Sequence, residues 1–204
     1  MIILEHEQGS AEWKRSRVGK LSASNFSKII TTTGKPSTSA DPYINQLIAE
    51  LLTGQTTSFH QTEWMLRGSE LEPMARANFC LDTGLDVLET GFILDDTESW
   101  GCSPDGLIGK DSGLEIKCCK AETHIGYWRN PQSGVKKYMQ QIQGCMLVTG
   151  RSSWWFYSFH PDLKGQNTLV RVERDEEFIQ KLSEQLLLAA EIIKTSLHNL
   201  EKAA

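Results

Sequence analysis

Cysteine is scarce in this chain and shows none of the spacings that build metal centres. The 204 residues include five cysteines, an odd number. Cys118 and Cys119 are adjacent, so they lack the intervening residues of a zinc-binding pair, and no four cysteines cluster as an iron–sulfur centre requires. We therefore expect reduced thiols that pack as small apolar residues in a cytoplasmic protein.

Long apolar runs and an excess of positive charge are also missing. The run Met1–Leu4 is followed at once by Glu5 and His6, so we expect neither a secretory signal nor a membrane span there. The formal net charge is −5. Many DNA-binding proteins are basic, so this acidity counts mildly against a nucleic-acid partner. It excludes none, because binding depends on the local field, and a nuclease must gather carboxylates around metal.

The remaining composition is that of a globular protein, with 39% hydrophobic and 23% charged residues. No internal repeat, low-complexity tract or long linker divides the chain. We expect one domain over residues 1–204, with a core over about 13–175 and an amphipathic C-terminal helix over about 176–200.

The spacing of apolar residues gives the expected elements. It predicts helices in four segments, namely 43–52, 64–83, 136–148 and 176–200. Strands are predicted in six segments, namely 87–94, 100–103, 107–108, 113–118, 153–160 and 168–172, and the third and fourth of these form a hairpin. Residues 11–30 read as a helix or turn followed by a second helix start. This order favours an α/β fold with a mixed central sheet flanked by helices.

One pair of segments carries a recognisable chemistry. Pro104-Asp105-Gly106 is followed ten positions later by Glu115-Ile116-Lys117, which is the P-D…E-x-K signature of metal-dependent nucleases. Glu115 and Lys117 are two apart on a predicted strand, so their side chains share a face. The alternative is a surface turn and a solvated Glu-x-Lys, but the apolar residues that flank Glu115 favour the functional interpretation.

The chemistry assigns a role to each residue of this signature. Asp105 and Glu115 are the expected metal-binding carboxylates, and the backbone carbonyl of Ile116 completes the site. Two Mg²⁺ ions, for which Mn²⁺ can substitute, would bridge the attacking and leaving oxygens. Lys117 would orient water or stabilise charge on the phosphate. The simpler alternatives are an Asx-turn for Asp105 and a solvated strand lysine for Lys117.

Five motifs in order extend the signature along the chain. They are Trp13-x-x-x-Arg17-x-Gly19-x-x-x-Ala23-Ser24, Gly68-x-x-x-Glu72-x-x-Ala75-Arg76, Cys102-Ser103-Pro104-Asp105-Gly106, Gly113-Leu114-Glu115-Ile116-Lys117-Cys118 and Gln141-x-Gln143. With them the chain resembles the lambda-type, YqaJ-like viral exonucleases of the P-D-(D/E)-x-K nuclease superfamily, from about residue 13 to about 175. Segments 53–64 and 119–135 do not match clearly.

This resemblance implies a restriction-endonuclease-like fold and a specific activity. Such enzymes digest one strand of duplex DNA from the 5′ end to mononucleotides. They leave a 3′ single-stranded tail for a strand-annealing protein in phage recombination. The resemblance also implies a ring-shaped homotrimer, a preference for 5′-phosphorylated ends, and a place in the cytoplasm of a bacterial host cell.

Further site residues follow from the resemblance alone. Glu72 would approach the metal site from a helix, although Ser69-x-x-Glu72 also fits a helix capping box. The residues matching a pocket for the 5′-terminal phosphate are Arg17, Ser24, Ser103 and Gln143, with Gln141 in the same Gln-x-Gln feature. Arg17 and Ser24 are alternatively a solvated charge and a helix cap.

Three weaker assignments complete the set. Trp13 would brace Arg17 or contact the terminal nucleotide, and core packing is an equal alternative. Met65 would be an apolar wedge between the strands, against the default of a core methionine. Lys35, in the polar loop 31–39, would track duplex phosphate or the minor groove, although most loop lysines have no such role.

Two other functions remain open at this point. A structure- or sequence-specific endonuclease of the same superfamily would need Asp105, Glu115 and Lys117 but no terminal-phosphate pocket. A catalytically silent DNA-end-binding or recombination scaffold would need none of them intact.

Overall fold

The P-D turn lies between two mixed sheets. The structure is a computed structural model and describes residues 1–56, 63–163 and 165–203. The strands of the first sheet are β1 (Ile2–Leu4), β2 (Leu21–Ser22), β3 (Phe92–Leu94) and β4 (Trp100–Cys102), in the order β1-β3-β4-β2. The β1–β3 and β3–β4 pairs are antiparallel and the β2–β4 pair is parallel. Strand β4 ends directly before Ser103.

The second sheet begins directly after the turn. Its strands are β5 (Gly106–Ile108), β6 (Ser112–Lys117), β7 (Ser153–Ser158) and β8 (Thr168–Glu173), in that order across the sheet. The predicted hairpin is confirmed, since β5 and β6 pair antiparallel, while β6 pairs parallel with β7. Residues 103–105 therefore carry the chain from one sheet to the other, and β6 holds the Glu-x-Lys motif in the interior of the second sheet.

Helices flank both sheets. They are α1 (Ala11–Ser16), a 3₁₀ helix (Ala23–Lys28), α2 (Ala40–Thr53), α3 (Glu63–Thr83), α4 (Ala121–Arg129), α5 (Pro131–Lys137), α6 (Met139–Thr149) and α7 (Glu176–Ala203). The predicted α/β class with mixed strands and flanking helices is confirmed, although the predicted single central sheet is divided into two. In the described part of the chain, no helix combines the length and the apolar character needed to cross a membrane.

Two predicted elements need correction. The helix expected over 136–148 is broken at Tyr138, whose backbone (φ −108°, ψ 15°) separates α5 from α6. The strand expected over 87–94 is ordered as strand only from Phe92. Before it, Leu88 makes an isolated bridge to Leu107. Gly91 passes so close to the first strand that a Cβ atom there would lie 2.1 Å from the carbonyl of Leu4.

Packing of α3 against β6 sets the position of the Glu-x-Lys motif. Ala75 and Phe79 of α3 are fully buried and cluster with Leu114 and Ile116 of β6. Burial of a phenylalanine side chain stabilises the fold by about 1.5–3 kcal/mol. Glu72 precedes Ala75 by three residues, so this packing brings its face of α3 towards β6.

Candidate active site

Asp105 is fixed to strand β6 by its backbone and by its carboxylate. Its N–H donates to the carbonyl of Leu114 at 3.2 Å, and its Oδ2 accepts a hydrogen bond of 2.5 Å from the N–H of Ile116. The N–H and C=O of a residue leave an extended strand on the same side. The Ile116 carbonyl therefore points towards Asp105 and away from β7, which puts a neutral oxygen ligand beside the carboxylate.

Glu115 and Lys117 share a face of β6, as their spacing predicts. Glu115 is fully buried and Lys117 is half-buried, and Lys117 Nζ forms an ion pair with Glu115 Oε1. The other oxygen, Glu115 Oε2, has no hydrogen-bond partner among the described residues. The Lys117 ammonium also lies 4.7 Å from the ring centroid of Tyr138. A buried carboxylate with unused acceptor capacity is costly unless a further cation or donor reaches it.

Burial dominates the protonation of this cluster. It raises the pKa of Glu115 to about 7, and it also raises the pKa of Asp105. Burial alone would lower the pKa of Lys117, but the charges of Glu115 and Asp105 outweigh it, and the pKa of Lys117 is raised. The lysine therefore stays charged, and one ammonium does not neutralise the neighbouring carboxylates. The site lacks positive charge.

Glu72 belongs electrostatically to the same cluster. Burial, and then the charge of Asp105, raises the pKa of Glu72 to about 7, while Arg76 opposes that shift. Arg76 is well buried and donates from Nη2 to Glu72 Oε1 at 2.6 Å and from Nε to the carbonyl of Asp105 at 2.9 Å. Its Nη1 pairs with Glu89 at 2.6 Å. Arg76 thus ties α3 to the P-D turn.

The donors present suit a hard divalent cation. Among the described residues no three His, Cys, Asp or Glu side chains stand close enough to hold a metal by themselves. Asp105, Glu115 and the Ile116 carbonyl supply only oxygen, and Mg²⁺ uses one or two carboxylates and keeps several waters. Oε2 of buried Glu115, which has no partner among the described residues, fits such an ion. Glu72 is engaged by Arg76, so it could reach a metal only through water or after a change of rotamer.

A pocket of about 180 Å³ is lined by Ser103, two residues before Asp105. Ser103 Oγ accepts hydrogen bonds of 3.0 Å from Trp13 Nε1 and from Arg17 Nη1. The Arg17 guanidinium lies 4.2 Å from the Trp13 ring centroid and 5.2 Å from that of Phe92. Burial lowers the pKa of Arg17. A cation held between aromatic rings beside a hydroxyl is suited to an anion such as phosphate.

The two glutamines of the Gln-x-Gln feature are divided between this pocket and the core. Ser24 and Gln141 line the pocket. Gln143 is buried elsewhere, where its Nε2 donates to the carbonyl of Glu173 at 2.9 Å and its Oε1 accepts from the N–H of Asp175 at 3.0 Å. Residues two apart on a helix point about 200° from each other. In this structure Gln141 is among the residues that line the pocket and Gln143 is not, and the role predicted for Gln143 stays a prediction.

The structure adds no support for the roles predicted for Lys35 and Met65. Lys35 is exposed on a turn closed by the Ile30–Pro36 bridge, outside the residues that line the pocket and the neighbouring cleft. The backbone of Met65 lies in α3, but its side chain falls outside the described residues. Much of segment 53–64 also falls outside them.

Sequence reasoning assigned no role to Gln8 or to Arg76. Gln8 Nε2 donates to the carbonyls of Thr90 at 3.0 Å and Pro104 at 2.8 Å, and its side chain lines both the pocket and the cleft. Nothing local to Gln8 signals a contact 96 residues away. The ion pair of Arg76 with Glu72 could have been predicted, because an acid followed four residues later by arginine on a helix favours such a pair.

A cleft of about 970 Å³ runs past the carboxylates and meets the pocket. Glu72, Arg76 and Asp105 line it, and Trp13 and Gln8 border both spaces. The arrangement therefore offers an anion pocket lined by Ser103 next to an acidic, metal-suited centre that contains Asp105.

Comparison with known proteins points to one family. Residues 12–152 match the model of the YqaJ-like viral recombinase domain. The alkaline exonuclease LHK-Exo from Laribacter hongkongensis is similar over 95% of this chain and 97% of its own, with 31% identity and a TM-score of 0.86. Its complex with dAMP is similar over the same shares, with 32% identity and a TM-score of 0.86.

A phage-related exonuclease from Haemophilus somnus 129PT shares the fold at 19% identity, with a TM-score of 0.75 over 89% of this chain and 96% of its own. No curated protein matches in sequence. The likeness to LHK-Exo confirms the predicted fold class.

Proposed function

Because the chain belongs to the YqaJ-like viral recombinase family, we propose that it is an exonuclease that digests one strand of duplex DNA from the 5′ end with the help of divalent metal ions. The likeness to LHK-Exo over nearly the whole chain supports the exonuclease activity. That LHK-Exo has been solved with dAMP supports mononucleotides as the product.

The relation of Ser103 to Asp105 carries the proposal. Ser103 lines the anion pocket with Arg17, and Asp105 lines the acidic cleft. Two residues of chain span at most about 7 Å. A terminal phosphate held by Arg17 would therefore leave the next phosphodiester within reach of the carboxylates. An endonuclease has no use for such a pocket, so the pocket favours attack from a 5′-phosphorylated end.

Asp105, Glu115 and the carbonyl of Ile116 would hold the metal. When bound, divalent cations would polarise the phosphodiester and promote deprotonation of water. The hydrogen bond from the Ile116 N–H fixes one Asp105 oxygen and leaves the other free to bind. Burial of Glu115 keeps its carboxylate oriented and excludes bulk water from its side of the centre.

Lys117 and Glu72 act beside these ligands. The raised pKa of Lys117 keeps its ammonium charged next to Glu115, where it can orient a water or stabilise charge that develops on the phosphate. Glu72 faces Asp105 from α3, and its raised pKa is suited to accepting a proton near neutral pH. Arg76 keeps Glu72 in place until the substrate and metal are bound.

The finer features remain part of the proposal. We propose Mg²⁺ as the metal, with Mn²⁺ able to replace it and two ions per site. The resemblance to the lambda-type exonucleases supports a ring-shaped homotrimer, a strand-annealing protein as partner for the 3′ tail, and action in the cytoplasm of a bacterial host during phage recombination. It also supports one nuclease domain over residues 1–204.

A digestion assay with three substrates tests the proposal. Linear duplex with and without a 5′ phosphate, and covalently closed circular duplex, are incubated with Mg²⁺. We expect mononucleotides from linear DNA only, faster with a 5′ phosphate, and none with the Asp105→Asn variant. Cuts in the closed circle would identify an endonuclease, and gel retardation without digestion would identify a silent end-binding scaffold.

A further inference from the structure

An exposed tryptophan near the start of α3 carries two cations on its ring. The side chain of Trp64 is 47% exposed. Lys120 Nζ lies 4.6 Å and Arg67 Cζ lies 5.6 Å from its ring centroid. Single exposed aromatic residues are common on protein surfaces and need no explanation. An indole flanked by two cations is a more specific arrangement, which we call the Trp64 platform (Trp64, Arg67 and Lys120).

The charges of this platform are not neutralised within the described chain. Several surface cations are paired with carboxylates, such as Arg15 with Glu12 and Lys181 with Glu177. Among the described residues, by contrast, neither Arg67 nor Lys120 forms an ion pair with an acidic side chain. The protein as a whole has a net charge of −5. Lys120 and Arg67, whose buried Nη1 has no hydrogen-bond partner among the described residues, therefore place positive charge beside an exposed ring, which suits an anionic ligand with flat rings.

The platform lies on the row of residues that leads to the active site. Trp64, Gly68 and Glu72 are spaced four apart, so they follow one side of α3. A Cβ atom on Gly68 would lie 3.8 Å from the carbonyl of Cys118, the residue after Lys117. Eight residues of helix span about 12 Å, so Trp64 is a few nucleotide lengths from Glu72. Lys120 follows Lys117 by three residues and connects the platform to the same strand end.

We infer that the Trp64 platform binds single-stranded DNA next to the cleavage centre, an inference that rests on the proposed action on DNA. Bases of a duplex are stacked on each other, whereas an unpaired base presents a free face to an indole. A base packed against the exposed part of the Trp64 ring has its phosphates close to Lys120 and Arg67, whose cations already lie over that ring. An enzyme that digests one strand of a duplex generates such unpaired DNA at every step, beside its own active site.

Binding of a fluorescent (dT)₁₂ oligonucleotide, followed by anisotropy in EDTA, tests the inference without cleavage. Stacking on an aromatic side chain is worth about 1–3 kcal/mol per base. We expect Trp64→Ala to weaken binding by about 10-fold or more and Trp64→Phe to retain most of it. Trp128→Ala is the matched control, because Trp128 is also 50% exposed but lies on α4, and it should bind like the unaltered protein.

The salt dependence separates the cations from the ring. Each phosphate contact to single strands contributes about 0.7 to the slope of log affinity against log salt. Arg67→Ala and Lys120→Ala should each reduce that slope by about this amount, whereas Lys110→Ala, an exposed lysine of the β5–β6 hairpin, should not. Circular dichroism of each variant checks that it is folded.

Equal binding by Trp64→Ala and Trp128→Ala would overturn the inference. So would a change in molar mass of Trp64→Ala by light scattering with unchanged (dT)₁₂ binding, because the ring would then contact a second copy of the chain. The digestion assay with linear and circular DNA tests the proposed function, and its outcome is independent of (dT)₁₂ binding. Loss of (dT)₁₂ binding in an enzyme that does not attack 5′ ends would sustain the platform and remove the proposed polarity.

Discussion

Arg76 donates a hydrogen bond of 2.6 Å to the carboxylate of Glu72, one turn earlier in α3. The same guanidinium reaches the carbonyl of Asp105 at 2.9 Å. One side chain therefore sets the distance between two candidate catalytic acids that come from different elements. It also brings a second positive charge to the carboxylates, because the ammonium of Lys117 pairs with Glu115.

Replacement of Arg76 by alanine should disable the centre without removing a ligand. Glu72 would lose its ion pair and the Asp105 carbonyl its donor, at a cost of about 1–3 kcal/mol in the free energy of unfolding. We expect kcat to fall by about 100-fold, because small displacements of catalytic groups have effects of that size. Calorimetric Mn²⁺ binding without DNA should not weaken, because the centre loses a cation and Glu72 loses its ion pair, so the fall in kcat will not reflect a lost metal.

Two variants control this experiment. Glu89 also pairs with Arg76, but its side chain is 73% exposed, so Glu89→Gln should change stability by no more than about 1 kcal/mol and leave kcat unchanged. Arg76→Lys retains the charge but loses the fork of donors, and its activity should lie between those of Arg76→Ala and the unaltered enzyme. Full activity of Arg76→Ala would contradict the positioning role.

The two glutamines of α6 should have separable effects. Gln141 lines the anion pocket, so Gln141→Ala should reduce the ratio of digestion rates on 5′-phosphorylated and unphosphorylated ends. Gln143 joins α6 to the start of α7 from a buried position, so Gln143→Ala should lower the free energy of unfolding by about 1–3 kcal/mol and leave that ratio unchanged. The reverse pattern in the rate ratios would restore Gln143 to the pocket.

The sequence predicts the features of this site that arise within one helix or strand, but not the contacts between segments far apart in the chain. The hairpin and the shared face of Glu115 and Lys117 follow from a period of two along one strand, and both are found. The division of the glutamines could also have been predicted, because a helix turns residues two apart in opposite directions. The contact of Gln8 with Pro104 could not, because it joins segments 96 residues apart. The break at Tyr138 likewise has no local breaker residue to announce it.

The stability of the metal-free protein should fall as pH rises. Glu115 has a pKa of about 7 in the folded protein against an ordinary value of 4.5. Because the folded pKa is raised, its stabilising effect is fully present below about 4.5 and is lost as pH rises through 7. A shift of this size corresponds to roughly 3 kcal/mol for Glu115. The shift of Glu72 is coupled to the same charges and does not simply add.

Thermal unfolding in EDTA and in Mg²⁺ measures this effect. In EDTA we expect Tm to decrease between pH 5 and pH 8. Added Mg²⁺ should raise Tm at pH 8 and have little effect at pH 5, where the carboxylates are protonated. Lys117 stays charged throughout and does not contribute to the slope. Glu115→Gln should flatten the EDTA profile, and a flat profile in the unaltered protein would show that Glu115 ionises normally.

Lys117 should be required for turnover and dispensable for binding DNA. Its ammonium pairs with a buried carboxylate beside the metal-suited oxygens, where it stabilises charge that appears only during reaction. We expect Lys117→Ala to lower kcat by about 1,000-fold, while the Kd for duplex ends in Ca²⁺ changes by less than about threefold. Removal of the ammonium that pairs with Glu115 will also destabilise the protein at pH 8 more than at pH 6, so kcat and Tm are compared at both values. Lys110→Ala, on an exposed turn of the same hairpin, serves as the matched control. It should have the kcat and the Tm of the unaltered enzyme at both pH values. Rapid digestion by folded Lys117→Ala at either pH would remove the ammonium from the mechanism and leave the carboxylates and metal to act alone.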